Sequence, residues 1–223
     1  MQPVFFITGT DTGVGKTVLT TLLVRFLRVR NINIAAFKPL CSGGRTDAIA
    51  LHAALGGALT LDDINPWHFR APLAPALAAK RERKAVTLSQ VRAHLRARQN
   101  KFEVMVVEGA GGLLSPLGED FDSRDLISAL RATPIIVAPN KLGAVNHVLL
   151  TVAALPKNLR AKACVVLMSP RRPDAATASN AELLGHFLPA EKILMLPWLG
   201  EKFSAEQVLR RAKVKRVLET IWS

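Results

Sequence analysis

Val4-Phe5-Phe6-Ile7-Thr8-Gly9-Thr10-Asp11-Thr12-Gly13-Val14-Gly15-Lys16-Thr17 joins a short apolar run to a turn of small residues and a lysine followed by a hydroxyl. A run with no polar face reads as a strand covered on both sides, the habit of parallel sheets. Beyond it, Leu19, Leu22, Leu23 and Phe26 recur at i, i+3, i+4 and i+7, which predicts an amphipathic helix over Thr17–Arg30. Strand, glycine turn and helix N-terminus together form an anion cradle. Backbone N–H groups point inward, the helix dipole adds partial positive charge, and Lys16 reaches the outer phosphates of a nucleotide. Thr17 is placed to offer its hydroxyl to Mg²⁺. The strict phosphate-loop spacing asks for glycine where Thr10 stands, with Gly9 one position earlier; Gly13, Gly15, Lys16 and Thr17 keep the remainder of the pattern. This stretch predicts binding of a nucleoside triphosphate with magnesium.

Outward from this loop, apolar runs alternate with helix-like segments. Further strands are predicted at Ile34–Lys38, Val104–Glu108, Ile135–Ala138, Ala163–Met168 and Ile193–Leu196. Thr87 with Gln90 has capping-box spacing ahead of a helix over Val91–Asn100, and Ser204 with Gln207 has it ahead of Val208–Trp222. Pro139 and Pro197 are expected to stop the strands they follow. The alternation predicts an α/β fold of P-loop NTPase type: a doubly wound, mostly parallel sheet with helices on both faces, ligands at the carboxyl ends of the strands, and residues 1–223 as a single domain.

Composition bounds the rest. Of the 223 residues, 49% are hydrophobic, enough for one sizeable core and too many for a disordered chain. Two cysteines, Cys41 and Cys164, make no disulfide framework and fit a reducing, cytoplasmic setting. No apolar run is long enough to span a membrane, and Val4–Ile7 gives way too soon to polar residues for a signal peptide. The net charge of +13 attracts polyanions, but its residues fall mostly on the polar faces of predicted helices without interleaved aromatics. A solvated basic surface is therefore expected rather than a nucleic-acid site.

Other candidates lie near the predicted strand ends. Glu108 closes Val104–Val107 and precedes Gly109-Ala110-Gly111-Gly112, a carboxylate at a strand tip where backbone can approach a ligand closely. Lys38 ends Ala36-Phe37-Lys38 ahead of Ser42-Gly43-Gly44; it is either an ammonium for phosphoryl or carboxylate charge or a surface lysine. Asp47 reads, from spacing alone, as a helix N-cap. His52, His68, His94, His147 and His186 show no metal-ligand spacing.

Taken in order, Gly9–Thr17, Lys38-Pro39, Ser42-Gly43, Asp47-Ala48, Val107–Gly112, Lys141-Leu142-Gly143-Ala144-Val145-Asn146-His147 and Pro197-Trp198-Leu199 resemble the dethiobiotin synthetase family. The resemblance spans most of the chain. It implies ATP- and Mg²⁺-dependent joining of CO₂ to 7,8-diaminopelargonic acid through a carbamate and its phosphoric anhydride, in a homodimer. It places Gly13, Val14, Gly15, Lys16, Thr17, Val18, Asp47, Glu108, Gly109, Ala110, Gly111, Met168, Ser169, Pro197, Trp198 and Leu199 around the nucleotide. It places Thr17, Asp47 and Glu108 around Mg²⁺, Lys16 on the β- and γ-phosphates, and Thr12, Lys38 and Ser42 around the carbamate near the γ-phosphate, with Lys38, Lys16 and Thr12 the catalytic groups. Gly143, Ala144, Val145 and Asn146 of one subunit would meet the substrate's carboxylate tail on the other.

Three departures from the family stand out. Gly13 replaces an acidic residue found in many members, and the segment from Ser42 to Asp47 is short. Met168-Ser169 stands where members carry Asn-Asp to read adenine, which predicts relaxed choice among ATP and other nucleoside triphosphates. A rival use of the same fold is a partitioning-type ATPase, a nucleotide-dependent dimerisation and surface-binding switch. Its signature has a second lysine near the loop start, where Thr10, Asp11 and Thr12 stand here.

Overall fold

The computed structural model describes residues 2–223, which run in the order β1 (Val4–Gly9), α1 (Lys16–Val29), β2 (Ile34–Phe37), β3 (Leu40–Ser42), α2 (Thr46–Ala54), α3 (Leu61–Ile64), β4 (Trp67–Phe69), α4 (Pro75–Arg81) and α5 (Leu88–Gln99). The second half follows as β5 (Val104–Glu108), α6 (Ser123–Leu130), β6 (Thr133–Pro139), α7 (Ala144–Ala154), α8 (Lys157–Arg160), β7 (Cys164–Met168), α9 (Ala175–Gly185), β8 (Ile193–Leu196), α10 (Ala205–Leu209) and α11 (Ala212–Trp222). Six strands form a sheet in the order β2-β5-β1-β6-β7-β8, every neighbour pair parallel.

The apolar runs predict this sheet because every strand but the edge strand β8, where Met195 is exposed, is covered on both faces. Val4 and Phe6 of β1 enter one core with Met105, Val107, Ile136 and Leu167, beneath α5, α6 and α7. Phe5 and Ile7 point the other way, into a second core with Val106, Val137 and Val166 beneath α1, α2 and α11. The side-chain period of two thus sorts one strand between two cores. On α1, Leu19, Leu22, Leu23, Phe26 and Leu27 are all buried, the stripe their spacing predicts.

Several local expectations are corrected. Pro139 is the last residue of β6 rather than the residue after it. The expected C-terminal helix is two: α10 and α11 break at Arg210-Arg211, and Ser204 makes no side-chain cap bond. At α5 the Thr87/Gln90 box does form. Asp47 is not an N-cap; Arg45 holds that position and Asp47 lies in the first turn of α2. The sequence reading also missed a second, two-stranded parallel sheet, β3 with β4. Three-residue strands carry too few side chains to show a period. Among the described residues, no helix is long and apolar enough to cross a membrane.

The order in which strands are added reverses across β1, since β5 and β2 lie to one side and β6, β7 and β8 to the other. Crevices at the carboxyl ends of strands open at such a reversal. The β1–α1 turn, the end of β5 and the β2–α2 connection all meet there.

Candidate functional site

The turn after β1 depends on glycine. Gly13 and Gly15 have φ of +72° and +102°, backbone that L side chains rarely adopt. A Cβ at Gly15 would also fall 2.8 Å from Met168 Cε, so the loop packs directly on the end of β7. Gly15 is the N-cap of α1, makes no side-chain cap bond, and is followed by no acidic residue in the first turn. The leading N–H groups of α1 are therefore left for an anion.

A cleft of about 670 Å³ opens above this turn, with Thr12, Lys16, Thr17, Lys38, Ser42 and Asp47 among its walls. Ala110 and Gly111, from the glycine segment after β5, close one side. Beneath lies a compact ionic group. Lys38 Nζ donates to Glu108 Oε1 at 2.8 Å, to Gly109 O at 2.9 Å, and pairs with Asp47 Oδ2 at 2.8 Å. Thr17 Oγ1 donates to the same Glu108 oxygen at 2.8 Å. Glu108 is 1% exposed and Lys38 2%, which settles both against a solvated surface role. The other carboxylate oxygen, Glu108 Oε2, is buried and has no hydrogen-bond partner.

The two lysines sit in opposite electrostatic circumstances. Burial works against the charge of Lys38, but the carboxylates of Glu108 and Asp47 outweigh it and hold its pKa above the ordinary value. Burial likewise works against Asp47, yet Lys38 beside it holds that carboxyl below the usual range. Lys16 has no contacting carboxylate. Burial, and then repulsion from Lys38, bring it down from 10.5 to about 8, and its ammonium donates only to Asp11 O at 2.7 Å. Two cations in one cleft, one of them short of counter-charge, are suited to a polyanion.

The family model described as "AAA domain" matches residues 4–205. The ATP-dependent dethiobiotin synthetase BioD of Bacillus subtilis (strain 168) is 38% identical over 202 residues, 88% of this chain and 85% of that protein. That of Anaeromyxobacter sp. (strain Fw109-5) is 39% identical over 210 residues, 92% of this chain and 94% of that one. This chain belongs to the dethiobiotin synthetase family. Among solved structures, a ParA bound to nonspecific DNA superposes with a TM-score of 0.62 at 11% identity, covering 100% of this chain and 98% of the other. A hydrogenase maturation factor HypB from Archaeoglobus fulgidus gives 0.51 at 14%, covering 97% and 90%. These last two share the P-loop α/β fold; the sequence kinship lies with the synthetases.

Against that family, most of the residues picked out by the resemblance gather at the cleft or directly beneath it, and some do not. Val14 is buried in the core, and Val18 is partly buried against it, so any contact with a ligand runs through their backbone. Ser169 and Pro197 share a separate groove with Lys213 and Arg216. Trp198 is exposed, and its carbonyl accepts from Arg211 at 3.3 Å. Gly143, Ala144, Val145 and Asn146 form the start of α7 and do not line the cleft.

Sequence reasoning also missed part of the wall. Pro72, Leu73, Ala74, Pro75, Cys41 and Ser115 line it. The proline spacing in Pro72-Leu73-Ala74-Pro75 was a loop signal that could have been read. Nothing local marks Ser115 or Cys41. Cys164 is buried away from the cleft, its thiol pushed up to about 12 by burial.

Proposed function

We propose that this chain is an ATP-dependent dethiobiotin synthetase in which Lys16, Lys38, Thr12 and Ser42 bring a carbamate and a nucleoside triphosphate together. The observation that carries the reading is the buried Lys38–Glu108 pair, joined by half-exposed Asp47 and set against a phosphate loop, in a chain that shares 38% identity with a synthetase of this activity. Carbamate and triphosphate are both anions. Holding them at reaction distance demands positive charge and oriented N–H groups, and these are the main contributions a protein makes to phosphoryl transfer.

In this mechanism one amine of the diamine adds to CO₂ and loses a proton, giving a carbamate. A carbamate oxygen bonds to the γ-phosphorus as the bond from that phosphorus to the bridging β–γ oxygen breaks, releasing the nucleoside diphosphate. The second amine then attacks the carbamoyl carbon and loses a proton, and the bond from that carbon to the phosphate oxygen breaks, so the ring closes and phosphate leaves. Lys16 turns from Asp11 O to the β- and γ-phosphates, and the N–H groups of Gly13, Gly15 and Lys16 cradle them. Lys38 faces the transferred group from beneath. Ser42 donates to Leu73 O in the open cleft, which leaves its oxygen lone pairs to accept from an amine N–H. No side chain serves as nucleophile.

The oxygens around Thr17 fit a hard divalent cation. Glu108 Oε2 is buried without a partner, and Asp47 and the Thr17 hydroxyl stand beside it, an all-oxygen set of the kind magnesium prefers. Magnesium, when bound, would supply neutralising charge on the phosphate oxygens, held by Thr17, Asp47 and Glu108.

The reading extends to a homodimer. Leu142, Leu150 and Leu114, exposed by 83%, 61% and 51%, lie on α7 and the segments beside it. Gly143, at φ +86°, caps α7 without a side-chain bond and without acidic residues in the first turn, an N-terminus open to a carboxylate tail from a second subunit. Met168 and Ser169 lack an amide to read a base, so ATP, CTP and GTP should turn over within about tenfold of one another, a gap of ~1.4 kcal/mol. Incubation with the diamine, bicarbonate, Mg²⁺ and each nucleotide, followed by mass spectrometry, tests both statements. Absence of dethiobiotin overturns the activity, and a hundredfold preference for ATP overturns the relaxed base choice.

A further inference from the structure

We infer that Asn65 is a positioning residue for Lys38 and Asp47, clamping through its side-chain amide the two segments that carry those groups to the cleft. The inference rests on the reading of Lys38 and Asp47 given above. Neither the phosphate loop nor the ionic group contains Asn65. It lies at the end of α3, is fully buried, and reaches the site only through its neighbours.

Its amide makes a saturated set of bonds. Nδ2 donates to Lys38 O at 2.7 Å and faces Pro39 O at 3.4 Å. Oδ1 accepts from Cys41 Sγ at 3.0 Å and from Arg45 Nε at 3.1 Å. Reversing the amide would set its N–H groups against two donors, so its orientation is fixed by its partners. The same corner grips Lys38 a second time, because Lys38 N donates to Ile64 O at 3.0 Å. The peptide group on either side of Lys38 is thus tied to α3 where β2 ends and β3 has not begun.

The other arm of the clamp runs to Asp47. Arg45 is the N-cap residue of α2, and its guanidinium donates to Leu61 O and to Asn65 O, each at 2.9 Å, besides Asn65 Oδ1. Asp47 sits in the first turn that Arg45 begins. At four residues, α3 is too short to hold itself; it is fixed by the Thr60–Asp63 capping box and by His94 and Arg98 of α5, which both bond to Asp63. One amide therefore couples α3, anchored on α5, to both cleft segments. Placement errors near 1 Å cost phosphoryl chemistry dearly, so such a coupling sets rate more than binding.

The test uses two variants with a control. Asn65→Asp keeps shape and the acceptor toward Arg45 and Cys41, but sets an oxygen against Lys38 O. Arg45→Met leaves the Asn65 donor in place and frees the start of α2. For Asn65→Asp we expect kcat to fall roughly 10- to 100-fold while KM for ATP stays within about threefold. For Arg45→Met we expect the Mg²⁺ concentration needed for half-maximal nucleotide binding, read by calorimetry without diamine, to rise about tenfold, the scale of a lost supporting contact. An unchanged kcat in folded Asn65→Asp overturns the inference. So does a loss matched by an equal loss of nucleotide-binding sites, which marks a merely structural asparagine. Should Asn65→Asp not fold, Arg45→Met decides, and an unchanged Mg²⁺ requirement overturns the inference. Lys38→Met separates the two claims: if it keeps turnover, the reading of the site has failed whatever Asn65 does.

Discussion

Replacing Lys16 with methionine should make the free protein more stable while destroying its activity. Lys16 is only 6% exposed, and burial, followed by repulsion from Lys38, lowers its pKa from 10.5 to about 8. A base whose folded pKa is depressed carries its penalty wherever both states are protonated. The penalty is therefore full below pH 8 and fades as pH rises from 8 to 10.5, where the folded protein has released its proton and the unfolded chain has not. At about 1.4 kcal/mol per unit the penalty is about 3.5 kcal/mol. Methionine keeps the length and loses the charge, but also loses the charged bond to Asp11 O, worth about 1.5–3 kcal/mol. The net gain is about 0.5–2 kcal/mol, or roughly 1–8 °C in Tm for a chain of this size. Thermal unfolding of both proteins at pH 7 and pH 10.5, without nucleotide, reads it directly. The variant should melt higher at pH 7, the gap should close or reverse at pH 10.5, and magnesium nucleotide should raise Tm only in the unsubstituted protein. A variant less stable at pH 7, or a gap independent of pH, refutes the reasoning.

Lys38→Met should act in the opposite direction, abolishing turnover and destabilising by about 3 kcal/mol, because Glu108 is left buried with Thr17 alone; urea unfolding measures it, and an equally stable variant argues against the pairing. Asp47→Asn tests the acid side. Burial works against the Asp47 carboxylate, but Lys38 holds its pKa below the ordinary 3.8, so its contribution is present above that value and is lost as pH falls through the lowered folded value. With its side chain 45% exposed the contribution is screened to under about 1 kcal/mol, and the difference in melting seen at pH 6 should shrink as pH is lowered below 3.8. Gly15→Ala must strain a φ of +102° and meet Met168 Cε at 2.8 Å, costing about 1–3 kcal/mol, of which Met168→Ala should return only the steric share. Full recovery in the double variant would show that the φ carries no cost.

The fold was legible because two signals are local. The two-sided apolar runs give all six strands of the large sheet, and the stripe of α1 gives the helix that follows the loop. The phosphate loop was legible because its glycines and lysine lie within a few residues of one another. What could not be read depends on pairing at long range. Lys38 looked equally like a surface lysine because Glu108 is 70 residues away and Asp47, though near in sequence, lies on another element. Asp47 looked like a cap because its true partner, Lys38, comes from another element. Asn65 and Arg45 carried no signal at all. An asparagine ahead of a proline, as in Asn65-Pro66, reads as an ordinary turn residue, and only the fold shows that its amide meets Lys38, Cys41 and Arg45 together.

Capping marks the N-terminus of α1 as one of those left open to an anion. The helices α3, α5, α6 and α9 each close their leading N–H groups with a capping box. α1 does not: its N-cap is a left-handed glycine, and its first turn holds no carboxylate. α7 begins the same way but does not line the cleft. The deficit at α1 and the deficit at Lys16 are both of negative charge, and they face the same cleft. A phosphate chain satisfies both at once, which no side chain of the described residues does. A surface-binding switch would need its unsatisfied charge on the outside, where salt screens it within about 8 Å. Here the unmet demand at Lys16 is buried, beside a lysine already neutralised by two carboxylates, where a small anion can meet it and a surface cannot reach.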